Sequence, residues 1–217
     1  MKIIVISLFP EMFDNVLNIS MLKKAQDKQL VNIKYLNLRD YGLGKRRQVD
    51  DIPYGGGDGM LLKPEPLFAA IEAAKAELPS SKVYLMTPRG IKFNQAKAAA
   101  IAASGSDMII VCAHYEGYDE RVTTLVDEQL SIGDYIVTGG EIPAMVLIDS
   151  VVRLLPGVLG GEQSAAIESF ADGVTLEFPQ YTRPPLFRKL RVPKVLQNGN
   201  HAEINAWRLR RSRKVKK

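Results

Sequence analysis

MIIVCAHYEGYDERVTTLVDEQLSIGDYIVTGGEIPA, residues 108–144, carries the alternation that decides the fold of this 217-residue chain. Met108 to Cys112 is an unbroken apolar run, the pattern of a strand buried on both faces. AHYEGYDER, Ala113 to Arg121, follows it, and a helix is expected over Asp119 to Val126. Leu130 to Val137 reads as a second strand, and Gly139 and Gly140 lead into a helix expected over Glu141 to Leu154, with Pro143 in its first turn. Strands separated by helices imply an α/β domain with a largely parallel sheet, because parallel neighbours need a crossover between them.

The flanking sequence continues the pattern. Ile3 to Leu8 is β-branched and apolar, a buried strand, and Val31 to Leu38 alternates as a half-exposed strand does. Glu11 to Gln29 reads as helical between them. A helix is expected over Lys63 to Leu78, opened by Pro64 and Pro66 and closed before Pro79. Val83 to Met86 is a strand, and Asn94 caps an alanine-rich helix to Ala103. Pro156 and Gly157 end the regular pattern, and no period is sustained from there to Pro193. A last helix is signalled over Ala202 to Lys214, with Asn200 as cap and Glu203 in the capping-box position. Three parts follow: a domain over residues 1–160, a linker over 161–177 and a small helical part over 178–217.

Charge divides the chain in the same place. Arg183 to Lys217 holds twelve Lys and Arg against the single acid Glu203, a balance of +11, so the first 182 residues carry −6 of the net +5. A basic segment on an acidic body fits a polyanionic partner, since phosphate contacts supply most sequence-independent affinity for nucleic acid. A solvated tail has the same composition. The opening apolar run, Ile3 to Phe9, is too short for a secretory core or a membrane span, and one cysteine, Cys112, cannot form an internal disulfide. Two histidines make a zinc site of protein ligands an unpromising reading. The expectation is a cytoplasmic, zinc-free protein with no membrane contact, in which Cys112 is a small buried side chain and Trp207 a packing anchor.

Two familiar nucleotide motifs fail. The turn after the first strand is Phe9, Pro10, Glu11 rather than G-x-G-x-x-G, and Arg46 stands after Gly44 and Lys45 where a phosphate loop needs Ser or Thr. What remains are loops of unusual composition: YGGGDGM (Tyr54 to Met60), TPRG (Thr87 to Gly90), AHYEGYDER and SIGDYIVTGGEIPA (Ser131 to Ala144). Three of them stand at predicted strands, and ligands of open α/β sheets bind beyond the carboxyl ends of strands.

LFPEMF, NLRDYG, VDDIPYGGGDGMLLKPEP, YEGYDER, SIGDYIVTGGEIPAM, RLLPGVLG, YTRPP and NGNHAEINAWR occur in order along nearly the whole chain. In these segments it resembles the bacterial tRNA (guanine-N1)-methyltransferases of the SPOUT class. The resemblance implies a trefoil-knotted α/β fold that binds S-adenosylmethionine in the knot, with an active site shared across a homodimer and tRNA as substrate. Threaded chains are nearly absent among folds, so the knot rests on the resemblance alone. It places the cofactor among backbone groups of three loops: Met86, Thr87 and Pro88; Ala113, Tyr115, Glu116 and Gly117; and Ser131, Ile132, Gly133, Asp134, Tyr135, Ile136 and Val137 with Gly139, Gly140 and Pro143. The family usually has glycine at the position of Ala113.

The implied reaction is attack by guanine N1 on an electrophilic methyl at position 37, immediately 3′ of the anticodon. N1 carries a proton that a base must remove while the neighbouring carbonyl gains charge. By position, Glu168 matches the family's carboxylate base, often aspartate there, and Arg153 matches the arginine that stabilises the guanine oxygen. Asp50, Arg183 and the basic helix would contact tRNA. Magnesium is left open. Two alternatives are a SPOUT-class methyltransferase acting on another RNA base and a non-catalytic RNA-binding module. NLRDYG and NGNHAEINAWR favour the first reading, and Glu168 and Arg153 argue against the module.

Overall fold

The computed structural model describes residues 1–160 and 168–215. Residues 161–167 of the expected linker and the last two lysines lie outside the described residues. The chain divides into two compact units, Met1–Gly160 and Gly161–Lys217.

The first unit is built on β1 (Lys2–Ser7), β2 (Asn32–Asn37), β5 (Lys82–Lys92), β6 (Met108–Cys112) and β7 (Glu128–Ser131), with β3 (Asp50–Asp51) and β4 (Leu61–Leu62) forming a short antiparallel pair beside them. The five-stranded sheet has the order β2-β1-β6-β5-β7, and all four pairings are parallel. Successive side chains of a strand point to opposite faces, and the two cores follow that rule. Ile3, Val5, Met108, Ile110, Tyr84 and Met86 pack on one face with α5 (Glu141–Val152), α4 (Gln95–Ser104) and α2 (Ser20–Asp27). Ile4, Ile6, Ile109, Val111, Val83 and Leu85 pack on the other with α3 (Pro64–Glu77). Covering on both faces is why β1 and β6 read as unbroken apolar runs.

Ile110 is fully buried in β6, between β1 and β5. Ile110→Ala is expected to remove about 2–5 kcal/mol of stability. Urea unfolding measures it, and a midpoint within error of wild type would show the core to be placed wrongly.

Several elements end where local chemistry outcompetes the expected period. The helix expected over Glu11 to Gln29 is broken into a 3-10 turn at Pro10–Phe13, α1 (Asp14–Leu17) and α2. Ile19 is extended, Ser20 takes φ 51°, and the Gln26 amide donates to the freed carbonyl of Leu17 at 2.8 Å. The helix expected over Asp119 to Val126 is 3-10 at Glu120–Leu125, where Thr123 and Thr124 hydroxyls donate to carbonyls three residues back. The strand expected over Leu130 to Val137 stops at Ser131, whose Oγ accepts from Gly133 N.

TPRG is not a loop after a finished strand. β5 runs on to Lys92, and Met86 and Ile91 both pair with Leu130, so Thr87 to Gly90 are thrown out of the ladder as a bulge. A Cβ on Gly90 would lie 2.4 Å from Gln129 C and Leu130 N, which is why the chain can re-enter the ladder only through glycine.

Among its described residues the second unit contains two short antiparallel strand pairs and one α-helix. β8 (Thr175–Leu176) pairs with β11 (Arg213–Lys214), and β9 (Leu186–Phe187) with β10 (Leu190–Arg191). In α6 (His201–Arg211), Asn200 accepts from Ala202 N and Glu203 N while Glu203 accepts from the Asn200 and Asn198 amides, closing the expected cap. The helix ends before Lys214 because Arg213 and Lys214 are taken into the pair with β8. Trp207 is buried, with Phe178 and Tyr181 ring centroids 6.5 and 6.4 Å away, so it anchors packing.

Candidate active site at the carboxyl edge of the sheet

A cavity of about 630 Å³ opens where β5, β6 and β7 meet their following loops, within the range of small-molecule sites. Three walls form it. β5 contributes Met86 and, from its bulge, Thr87, Pro88 and Arg89, the turn after β6 contributes residues 113–118, and the end of β7 with the chain after it contributes residues 130–133 and 135–140. Pro143 of α5, Leu61 of β4 and Glu120 complete it. The lining is apolar at Met86, Leu130, Ile132, Ile136 and Val137 and polar at Thr87, Ser131 and Glu116, a mixture suited to a flat aromatic group with polar edges.

The walls are joined by backbone. Gly140 N donates to Ala113 O at 2.7 Å, and His114 and Gly139 form an isolated antiparallel bridge. The 114–117 turn closes with Gly117 N donating to His114 O at 3.1 Å, and Tyr115 takes φ 59° within it. A bulky residue in that region is a strained conformation of the kind found at ligand clamps. The glycine-rich YGGGDGM segment docks on the same turn: Glu116 N donates to Met60 O and Leu62 N to Gly117 O. Gly59 lies against Glu116, where a Cβ would fall 2.4 Å from Cγ.

Beneath the joined walls, Glu141 is 2% exposed at the first residue of α5 and accepts from Ser7 Oγ at 2.7 Å. A helix N-terminus favours such a carboxylate. His114 Nδ1, also buried, lies 3.6 Å from Glu141 Oε2, beyond hydrogen-bond distance. Cys112 is buried under the same floor, and burial, with Glu141 close by, pushes its thiol well above its ordinary range, the opposite of the shift that activates a thiolate. At the rim, Arg89 donates to Glu120 at 2.5 Å and to Tyr118 Oη at 3.0 Å, and these bonds, the one to Glu120 foremost, raise its own pKa. Arg121 grips Asp119 through two hydrogen bonds of 2.7 and 2.8 Å, and the hydrogen bond from Arg121 is the main cause of the lowered Asp119 pKa.

Of the residues singled out for the cofactor, all but one line this cavity. Asp134 does not, and its carboxylate pairs with Lys92 instead. Leu61, Arg89, His114, Tyr118, Glu120, Leu130 and Thr138 were missed, although all but Leu61 and Glu120 are chain neighbours of residues that had been singled out. Leu61 follows the glycine-rich segment, and the triple glycine was its only signal. Arg153 is the C-cap of α5 and partly buried. Glu168 is partly buried in the second unit, where its carbonyl accepts from Ala171 N. Asp50 lies in β3, with its carbonyl accepting from Gln48, and Arg183 is exposed in the second unit. Magnesium has no cluster of three His, Cys, Asp or Glu to hold it among the described residues. No helix among them is long and apolar enough to cross a membrane.

Fold and cavity together define an α/β protein with a cavity of small-molecule size in the turns beyond a parallel sheet, without a phosphate-loop or dinucleotide fingerprint. A family model described as tRNA (Guanine-1)-methyltransferase TrmD matches residues 1–217, and the chain belongs to that family. It is 54% identical over 209 residues to the tRNA (guanine-N(1)-)-methyltransferase of Staphylococcus carnosus (strain TM300), covering 96% of this chain and 84% of that protein. The tRNA (guanine-N(1)-)-methyltransferase of Latilactobacillus sakei subsp. sakei (strain 23K) is 53% identical over 209 residues, with the same coverage of each chain. The protein of that name from Staphylococcus aureus (strain Newman) is 54% identical, again over 96% of this chain and 84% of its own.

Proposed function

We propose that the protein methylates N1 of the guanine at position 37 of tRNA, immediately 3′ of the anticodon, with S-adenosylmethionine as donor. The observation that carries this is the convergence of three strand-end segments on one cavity, in a chain of the tRNA (guanine-1)-methyltransferase family. S-adenosylmethionine supplies an electrophilic methyl on a sulfonium, so the protein needs no residue to activate the leaving group. The cavity suits it: backbone groups of the 113–117 and 131–140 turns can read an adenine edge while Ile132 and Val137 cover its face. Met86, Thr87 and Pro88 form the opposite wall.

The chain's own chemical work lies on the guanine. In this reading the Glu168 carboxylate takes the proton that N1 must lose, and the Arg153 guanidinium donates to O6, where negative charge collects as the proton leaves. Residues 1–160 then form the catalytic domain, 161–177 a linker and 178–217 a tRNA-binding part, with Asp50 and Arg183 as tRNA contacts. Family likeness adds a trefoil knot around the cofactor, a homodimer that shares its active sites and a cytoplasmic location.

Incubation of the purified protein with labelled donor and two tRNA transcripts, one with guanine at position 37 and one with another base there, tests the assignment. Label is expected in the first only. Equal incorporation into both would remove the position-37 specificity, and none in either would remove the activity.

A further inference from the structure

One turn of the second unit holds residues that its backbone disfavours. Arg188 and Lys189 alone connect β9 to β10, with φ of 48° and 68°. Positive φ at both central residues makes this a type I′ turn, for which Asn-Gly is the favoured pair. Arginine and lysine bring a Cβ into the left-handed region, and neither has the short polar side chain with which asparagine stabilises its own turn. Strain of this kind points from the outlier toward a use for the side chains it displays.

The strands beside the turn give that use a chemical class. Phe187 and Leu190 are opposite each other across the hairpin and so share a face, yet they are 59% and 75% exposed. The Arg188 guanidinium lies 5.3 Å from the Phe187 ring centroid. The hairpin therefore presents an uncovered aromatic platform bordered by two cations at its tip, with Arg191 on the returning strand and no acid from Leu186 to Arg191. In a chain of a tRNA-modifying family, the partner that fits is an unstacked nucleobase with its neighbouring phosphates, since bases stack on exposed aromatic side chains while Lys and Arg neutralise the backbone.

We infer that the β9–β10 hairpin is a grip for single-stranded RNA in the tRNA substrate: Phe187 stacks on an unpaired base, and Arg188 and Lys189 hold two flanking phosphates. The inference rests on the tRNA reading proposed above and assigns the contact to an element outside the cofactor cavity.

The test uses the full chain, with R188N/K189G at the turn and, separately, Phe187→Ala. The double variant installs the residues the turn prefers and is expected to melt at or above the wild-type temperature. Its affinity for tRNA should fall roughly tenfold or more at about 0.1 M salt, and the dependence of log affinity on log salt should become shallower by about 1.4–1.8. Phe187→Ala should weaken binding about tenfold with the salt slope unchanged. Wild-type affinity and slope in the double variant would overturn the inference while leaving the methylation reading intact. So would a change of solution mass in Phe187→Ala without loss of affinity, because the platform would then be covered by a second copy. A wild-type protein that bound no tRNA would overturn both.

Discussion

Gly140→Ala is expected to cost the protein its cofactor grip, its thermal stability or both, although one methyl group is all that changes. Gly140 has φ −77° and ψ −6°, a conformation open to any residue, so its backbone freedom is not at issue. Space is. A Cβ there would stand 2.6 Å from Cys112 Cα, 2.7 Å from Ala113 N and 3.0 Å from Cys112 C, all main-chain atoms at the end of β6. Gly140 N also donates to Ala113 O at 2.7 Å, so relief must part the two turns that make the cavity wall.

Forcing an extra methyl into such a site costs about 1–3 kcal/mol. If the fold absorbs the strain, the melting temperature falls by about 2–4 °C per kcal/mol for a chain of this size. If the turns separate and cofactor must draw them back, affinity falls by about 5–150-fold, at 1.4 kcal/mol per factor of ten. Scanning calorimetry and titration with S-adenosylhomocysteine measure the two. Gly160→Ala is the control, because a Cβ there meets nothing within 4 Å. An alanine at 140 that changed neither quantity would mean that β6 and α5 do not approach as described.

That same closeness separates what sequence can reveal from what it cannot. β1, β6 and α5 were legible because burial on both faces of a sheet, or along one helix face, leaves a one-dimensional pattern. The cap of α6 was legible because Asn200 and Glu203 act on neighbours two and three residues away. The bulge in β5 was not, because Met86 and Ile91 share Leu130 of another strand, and no local pattern records a register shift. Nor was the early end of β7 legible: Tyr135, Ile136 and Val137 are residues a strand favours, and the Ser131 and Tyr135 side-chain bonds to nearby backbone accompany its diversion. In the site, the loops stood out by composition, but the pairing of buried Glu141 with Ser7 spans 134 residues and leaves no trace in either segment. Arg153 and Glu168 carry no compositional signal of a role, and theirs comes from likeness to the family.

Glu168→Ala is expected to lower the methylation rate by about 10²–10⁴ while cofactor affinity stays within about twofold of wild type. The split follows from when the carboxylate acts. In the proposed reading the cofactor's adenine and ribose meet the turns of the first unit, whereas removal of the N1 proton belongs to the transition state. Loss of an interaction made only there lowers kcat and kcat/KM together. A second signature distinguishes a base from a structural residue: with the carboxylate gone, the residual rate should climb with pH as hydroxide from solvent takes the proton instead, and an arginine placed against O6 should still help it. Glu168→Asp should retain measurable turnover, because it keeps the carboxyl on a shorter arm, and the double variant Glu168→Ala with Arg153→Ala should lose the residual pH-dependent rate as well. Single-turnover assays with labelled donor across a pH series, run beside calorimetric titration, read all of this. Wild-type turnover in Glu168→Ala would take the carboxylate out of the reaction, and a parallel collapse of cofactor affinity would make it a part of the binding site instead.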